Sequence, residues 1–292
     1  MWDLEQHTYP WLSARPLPAS IAGDVTPIAH SYVLDDYLAD QGRWKVALAV
    51  HVDAGYDPRE PVAETRWLQA LANERGMPNG IVAAAVLHEP DVETVLAAHC
   101  ESANVRGIRH IINWHADPAK TYVARGDLLT DPAWLAGFAL LEKYGLSFDL
   151  QLYPSQMHDA AHVAARFPQT SIIVNHAGMP IDRDAAGLAL WESGMRELAA
   201  QPNVSVKISG LGMLDWDWSI QSIRPFVLRT IEFFGADRCM FASNFPVDRL
   251  YSSFDVLYDA FAELVGDFTP TEQRGLFGGN AVRLYRLTEL PA

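Results

Sequence analysis

The residues best able to do chemistry stand inside or at the ends of short apolar runs. His176 follows Ile172-Ile173-Val174-Asn175 and precedes Ala177-Gly178, where the backbone can turn tightly. A neutral imidazole there suits a metal ion or a hydrogen bond to a substrate carbonyl. Lys207 lies between Val206 and Ile208, and Arg109 lies late in an otherwise apolar run. An unpaired buried charge is costly, so each cation needs a carboxylate partner or an anionic ligand. Asp149 is a candidate partner for either one, and it shares strand parity with Gln151 and Tyr153. Gln151 can donate to and accept from hydroxyls or an ester oxygen. Asn244 ends the last apolar run and cannot accept a proton near neutral pH, although it can orient a water. Asp248, four residues on, supplies a carboxylate if its loop folds back over the pocket. His176 and Lys207 can polarise a substrate carbonyl, and Asp248 or another group can take a proton.

Other polar residues are weaker candidates. Trp114 and His115 fall in the segment Asn113 to Pro118 and are expected to line the pocket mouth, Trp114 as an apolar wall. His110 has the opposite parity from Arg109 and so should face away from the interior. His51 ends the first apolar run. His88, His99, His158 and His162 fall on loops or helical stretches and are expected at the surface. His158 and His162 have one-face helical spacing but lack the Glu of a zinc-protease motif. Leu214 to Trp218 reads as a substrate-side loop.

The elements that must position these groups alternate along the chain. Strands are expected at Lys45 to Val52, Ile81 to Leu87, Val105 to Asn113, Leu146 to Tyr153, Thr170 to Asn175, Val204 to Ser209 and Arg238 to Ala242. Between them, helical periodicity is read over Pro61 to Arg75, from Asp91 onward, and over Asp131 to Tyr144, Gln156 to Phe167, Ala185 to Ala200 and Ile220 to Phe234. Two more stretches, Phe254 to Val265 and Thr271 to Leu287, follow the last strand. Continuous apolar strands suit a parallel sheet buried on both faces. No Gly-rich phosphate loop follows any strand, which disfavours a nucleotide cofactor. Polar residues at successive strand ends favour an α/β fold of the (β/α)₈ TIM type over an open sheet, with the active site at the C-terminal rim. Seven strands are legible where eight are needed.

Composition bounds the alternatives. The 292 residues carry 22 Lys+Arg and 36 Asp+Glu, a formal charge of −14, with 49% hydrophobic residues. That is a globular composition, read as one barrel domain over residues 1–292. The acidic balance argues against nucleic acid as a partner. No apolar run is long enough to span a bilayer, and the start lacks a signal peptide's pattern, so no membrane and a cytoplasmic location are expected. Two cysteines, Cys100 and Cys239, exclude a disulfide framework.

Several segments carry a resemblance. Val105-Arg106-Gly107-Ile108-Arg109, Asn175-His176-Ala177-Gly178-Met179-Pro180, Val206-Lys207-Ile208-Ser209-Gly210, Phe241-Ala242-Ser243-Asn244-Phe245-Pro246-Val247-Asp248 and Asn280-Ala281-Val282-Arg283-Leu284-Tyr285 recur in order and spacing. With Trp2-Asp3 and Tyr9-Pro10-Trp11-Leu12, they make the chain resemble the amidohydrolase-related family, in particular its lactonase-like branch. That resemblance implies a TIM-type barrel opening a lactone or small carboxylic ester, with a small-molecule substrate. It allows a divalent metal such as zinc, with His176 as the candidate ligand, but does not require one: the chain lacks the three protein ligands of a catalytic zinc, so little or no stoichiometric zinc is expected. Two departures stand out. The family's first strand, ending in a His-x-His pair, is not seen ahead of Trp2, so the first strand is expected to be missing or shortened. Asn244 stands where many relatives carry Asp. The alternatives are a decarboxylase or hydratase of an unsaturated acid, with Arg109 and Lys207 anchoring carboxylates, or a catalytically impaired ligand-binding barrel. A homo-oligomer is compatible with either, since it would cover an open strand edge.

Overall fold

The computed structural model describes residues 1–288. Its centre is a seven-stranded, all-parallel sheet in sequential order: β1 Val50–Val52, β2 Gly80–Ala84, β3 Val105–Ile111, β4 Ser147–Gln151, β5 Ile172–Val174, β6 Val204–Ile208 and β7 Cys239–Phe241. The helices α3 (Ala63–Arg75), α4 (Val92–Cys100), α5 (Pro132–Lys143), α6 (Met157–Arg166), α7 (Ala185–Ala199), α8 (Ile220–Phe234) and α9 (Phe254–Leu264) alternate with the strands and pack outside them. Two short helices, α1 (Pro10–Ser13) and α2 (Leu34–Asp40), precede β1. This is the architecture of a TIM-type barrel. Strands β4 and β6 are buried at every position, the polar Ser147, Asp149, Gln151, Ser205 and Lys207 included.

Local chemistry explains the helix starts. Asp131 accepts the backbone N–H groups of Ala133 and Trp134 at 2.8 and 3.0 Å, with Pro132 in the first turn of α5. Ser219 and Ser253 cap α8 and α9 in the same way. Gly137 on α5 is forced by packing: a Cβ there would lie 1.9 Å from the Leu87 carbonyl oxygen.

Three expectations are corrected. Lys45 to Ala49 is not strand, because side chains take its backbone bonds. Gln41 Oε1 accepts the Val46 N–H at 2.8 Å and Asn79 Oδ1 accepts the Ala49 N–H at 2.9 Å. The C-terminal helical stretch runs as α10 (Pro270–Arg274), a π-turn over Gly275–Gly279 and α11 (Asn280–Leu284), its wide turn made from a glycine-rich sequence. His99 is fully buried rather than exposed. It meets Thr65 Oγ1 at 2.9 Å and the Ala84 carbonyl at 3.0 Å, on the face that Val92 and Leu96 also bury.

Residues before β1 arch over the C-terminal rim. Trp2 bridges Tyr32, and its indole N–H donates to the His30 carbonyl at 2.8 Å. Trp2, Tyr9, Leu12, Ile28 and Tyr32 form a second apolar cluster with Tyr153, Met179 and Met213 from the rim loops. Among the described residues, β1 pairs only with β2 and β7 only with β6. The cleft between these outer strands is lined by Leu48, Val50, Met240, Phe241, Ala281 and Val282. Asn280 covers part of the β7 edge, donating from Nδ2 to the Ala236 and Cys239 carbonyls, both at 2.7 Å.

Candidate active site

One cavity of about 990 Å³ opens at the C-terminal ends of the strands and continues into the cleft between β1 and β7. Its wall brings together His51 from β1 and Asp53 just after it, Arg109 from β3, Gln151 from β4, His176 after β5, Lys207 from β6 and Ser209 just after it, and Asn244 after β7. Four of the expected site residues therefore share it with Arg109: Gln151, His176, Lys207 and Asn244.

Both buried cations are paired. Lys207 Nζ donates to Asp149 Oδ1, which also accepts the Tyr285 hydroxyl at 2.9 Å. Arg109 Nε donates to Asp53 Oδ2, its Nη1 to Gln151 Oε1 at 3.0 Å, and its remaining nitrogen to the Asp53 carbonyl. Asp149 thus belongs to Lys207, and Asp53 fills the role of Arg109's partner. Burial lowers the Lys207 pKa below the ordinary lysine value, with Asp149 opposing.

The imidazoles are neutral. Burial, then Lys207 and Arg109, push His176 well below its usual value. Its Nδ1 lies 3.0 Å from Ser209 Oγ. His51 is likewise depressed by burial, and its Nε2 lies 3.5 Å from Glu64 Oε1. Burial and the nearby Asp53 raise the Glu64 carboxyl to about 8, so this is a polar contact rather than an ion pair. The cavity wall therefore carries two compensated ion pairs and uncharged imidazoles.

The turn that presents His176 is strained. His176, Ala177 and Met179 have φ of 54°, 50° and 47°, and Asn244 has 53°. Non-glycine residues in this region cost on the order of 1–3 kcal/mol each and cluster at functional sites. The Trp191 indole donates to the Ala177 carbonyl at 2.8 Å and pins the turn. Gly210, at φ 64°, lets the β6 loop pass close behind, since a Cβ would lie 2.5 Å from His176 Nδ1.

Other expected site residues lie off the cavity wall. Asp248 is buried behind Asn244, whose Nδ2 donates to its Oδ1 at 2.9 Å. Burial raises its carboxyl to about 7. Trp114 packs beside Gly126 at the surface. His115 meets Asp182 at 3.2 Å, on a rim contact that Lys120 shares at 2.7 Å. Tyr153 is buried under the arch, and its hydroxyl donates to the Lys120 carbonyl at 2.6 Å. These residues brace loops. His110 faces outward, accepting the Trp134 indole N–H at 3.0 Å. In the Leu214 to Trp218 loop, Asp215 pairs with Arg183 at 2.9 Å and Trp216 stacks on Tyr251, so packing accounts for both. Asp53 and Ser209 were missed, although parity points to them: Asp53 follows His51 by two, and Ser209 follows Lys207 by two. Tyr122, on the long loop after β3, also lines the cavity and has no comparable signal.

Residues 3–287 match the amidohydrolase family. The chain belongs to that family. It is 46% identical to the protein y4mH of Sinorhizobium fredii over 98% of this chain and 96% of that one. It is 30% identical to an L-fucono-1,5-lactonase of Burkholderia multivorans over 99% of this chain and 94% of the relative. An amidohydrolase crystal structure from Burkholderia multivorans, with bound zinc, superposes with a TM-score of 0.80 at 26% identity, covering 96% of this chain and 94% of that one.

A family member raises the question of a metal, and these side chains do not fit one. Among the described residues, no three His, Cys, Asp or Glu side chains converge as ligands. The wall's imidazoles are His51 and His176, and His51 is engaged with Glu64 at 3.5 Å. A catalytic zinc takes three protein ligands, and the wall's carboxylate Asp53 is already held by Arg109.

Proposed function

We propose that this amidohydrolase-family hydrolase opens an uncharged lactone or small carboxylic ester. The carrying observation is the pairing of both buried cations, Arg109 with Asp53 and Lys207 with Asp149. A site built for a carboxylate substrate needs a cation free to meet it. Here the Arg109 and Lys207 charges at the strand ends are already compensated, while donors remain on the wall; Lys45 lines the exposed cleft and donates to the Gly42 carbonyl at 3.0 Å. That favours a neutral, oxygen-rich ligand over the unsaturated acids of a decarboxylase or hydratase. The 30% identity to an L-fucono-1,5-lactonase supports a sugar lactone as the ring.

In this reading, the substrate carbonyl oxygen lies against Lys207 Nζ, whose ammonium hydrogens not held by Asp149 stabilise the developing oxyanion. Gln151, fixed by Arg109, meets the ring oxygen or a hydroxyl. Water attacks the carbonyl carbon, and His176 Nε2 accepts its proton. The acyl C–O bond breaks, and the leaving alkoxide recovers a proton from His176. The products are a hydroxyl group and a carboxylate, with one proton released to solvent. Neutral His176 is in the form a base requires, although its depressed basicity limits the driving force. Asp248 acts behind Asn244 rather than as the proton acceptor.

The test is a panel of sugar lactones and aromatic ring acids, read together by acid release at constant pH and by CO₂ evolution. Acid release from neutral lactones, abolished in His176→Ala, supports the proposal. CO₂ release from the acids, or lactone opening unaffected by His176→Ala, refutes it.

A further inference from the structure

Asn244 carries a second piece of information about the ligand. Its amide has two ends, and among the described residues only one of them has a partner. The Nδ2 group donates to Asp248 Oδ1 at 2.9 Å, and Asp248 is 3% exposed, behind the cavity wall. A carboxylate can only accept, so the contact fixes which way the amide is turned. The backbone at φ 53° fixes the side chain's origin, in a region where Asn is tolerated far better than most residues. Asn244 itself lines the cavity, and among the described residues its Oδ1 has no hydrogen-bond partner.

We infer that Asn244, oriented by Asp248, offers the cavity an acceptor and reads a hydroxyl hydrogen of the substrate. The inference deepens the lactone proposal and rests on it: the ring carries a hydroxyl facing the β7 end of the cavity. Asn244 is the specificity-determining residue, and Asp248 is the positioning residue that keeps the amide from rotating. Burial raises the Asp248 carboxyl to about 7, so the arrangement is firmest in mildly alkaline solution, where that carboxyl is ionised. A site that hydrogen-bonds a substrate hydroxyl rejects the analogue lacking it, because the buried acceptor is left unpaired.

The experiment measures kcat/KM near pH 8 for a parent sugar lactone and each of its monodeoxy isomers. Wild type, Asn244→Gly and Asp248→Asn are compared. Glycine accepts the left-handed backbone at position 244, so that variant keeps the turn. In wild type, one deoxy position should lower kcat/KM at least about ten-fold. That particular penalty should shrink to within about three-fold in Asn244→Gly and narrow in Asp248→Asn. Melting temperatures identify any variant whose fold is damaged; a purely structural role would lower turnover of all isomers together. An unchanged deoxy pattern in a folded Asn244→Gly variant overturns this inference alone. Absence of turnover for every parent lactone overturns the hydrolase reading and this inference with it.

Discussion

Replacing Asp149 with Asn leaves Lys207 buried without a counter-charge. Asp149 is fully buried and Lys207 is 7% exposed, so solvent screens neither. Breaking a buried pair from one side costs about 3–5 kcal/mol. The lower end applies, because the Asn amide oxygen can still accept one Lys207 hydrogen. Unfolding entropy near 2.1 cal/mol/K per residue, over 292 residues, converts about 3 kcal/mol into a fall in Tm of roughly 5 °C. The deficit should narrow as pH rises. Unpaired Lys207 has a lower folded pKa than unfolded lysine, so it sheds its proton within the alkaline range and the penalty fades. Adding Lys207→Met to Asp149→Asn should restore stability to within about 1 kcal/mol of wild type, since an apolar replacement of both partners is often neutral. The same single variant gives the cavity an uncompensated cation. Its relative kcat/KM for a carboxylate-bearing lactone should therefore rise about ten-fold over wild type. Denaturant unfolding at several pH values, with parallel kinetics, reads both effects. A loss below about 1 kcal/mol, or a deficit that widens with pH, refutes the buried-pair argument.

Three further outcomes follow from the geometry. Because His176 is depressed well below its usual value, the Asp248→Asn variant, which lacks the carboxyl that titrates near 7, should show no fall in kcat/KM around the ordinary imidazole value; a midpoint near 6.5 in that variant's pH-rate profile counts against His176 as the base. The Asp248 carboxyl is raised to about 7 when folded, so its stabilisation is full below the unfolded carboxyl value and lost as pH rises through 7. Between about pH 5 and 8, wild type should lose roughly 2–4 kcal/mol more than Asp248→Asn, measured by urea unfolding; equal losses contradict its burial as an ionisable acid. Gly210→Ala puts a Cβ within 2.5 Å of His176 Nδ1 at a left-handed φ, and should cut kcat/KM at least about 100-fold while the folded state survives; unchanged kinetics would show that the imidazole's placement is not critical.

Most of the fold was legible because parallel strands buried on both faces leave predominantly apolar runs; β3 to β7 fall within the expected runs and β2 begins one residue earlier. Lys45 to Ala49 misled because tertiary bonds from Gln41 and Asn79 replace the ladder that its composition suits. At the site, the cost of a buried charge pointed Arg109 and Lys207 to carboxylate partners, and strand parity grouped Gln151 with Asp149, a candidate partner for either. Neither could assign the pairing, because that depends on barrel stagger: Asp149 reaches across to Lys207, while Asp53 takes Arg109. Loop residues were harder. Trp114, His115 and Tyr153 carry groups suited to a pocket, yet their positions follow from loop paths with no sequence period. Asp248 was found by proximity to Asn244, but the turn between them points the carboxylate behind the wall.

The most direct test of the account compares kcat/KM for a neutral sugar lactone and for a lactone of the same ring bearing a carboxylate, on wild-type protein at one pH and ionic strength. Compensated Arg109 and Lys207 predict a preference for the neutral ring of at least about 100-fold, since an extra buried anion finds no free partner. Equal rates, or a preference for the carboxylate, would show that a cation on the cavity wall is available to the substrate and that the charge pairing does not govern what this barrel accepts.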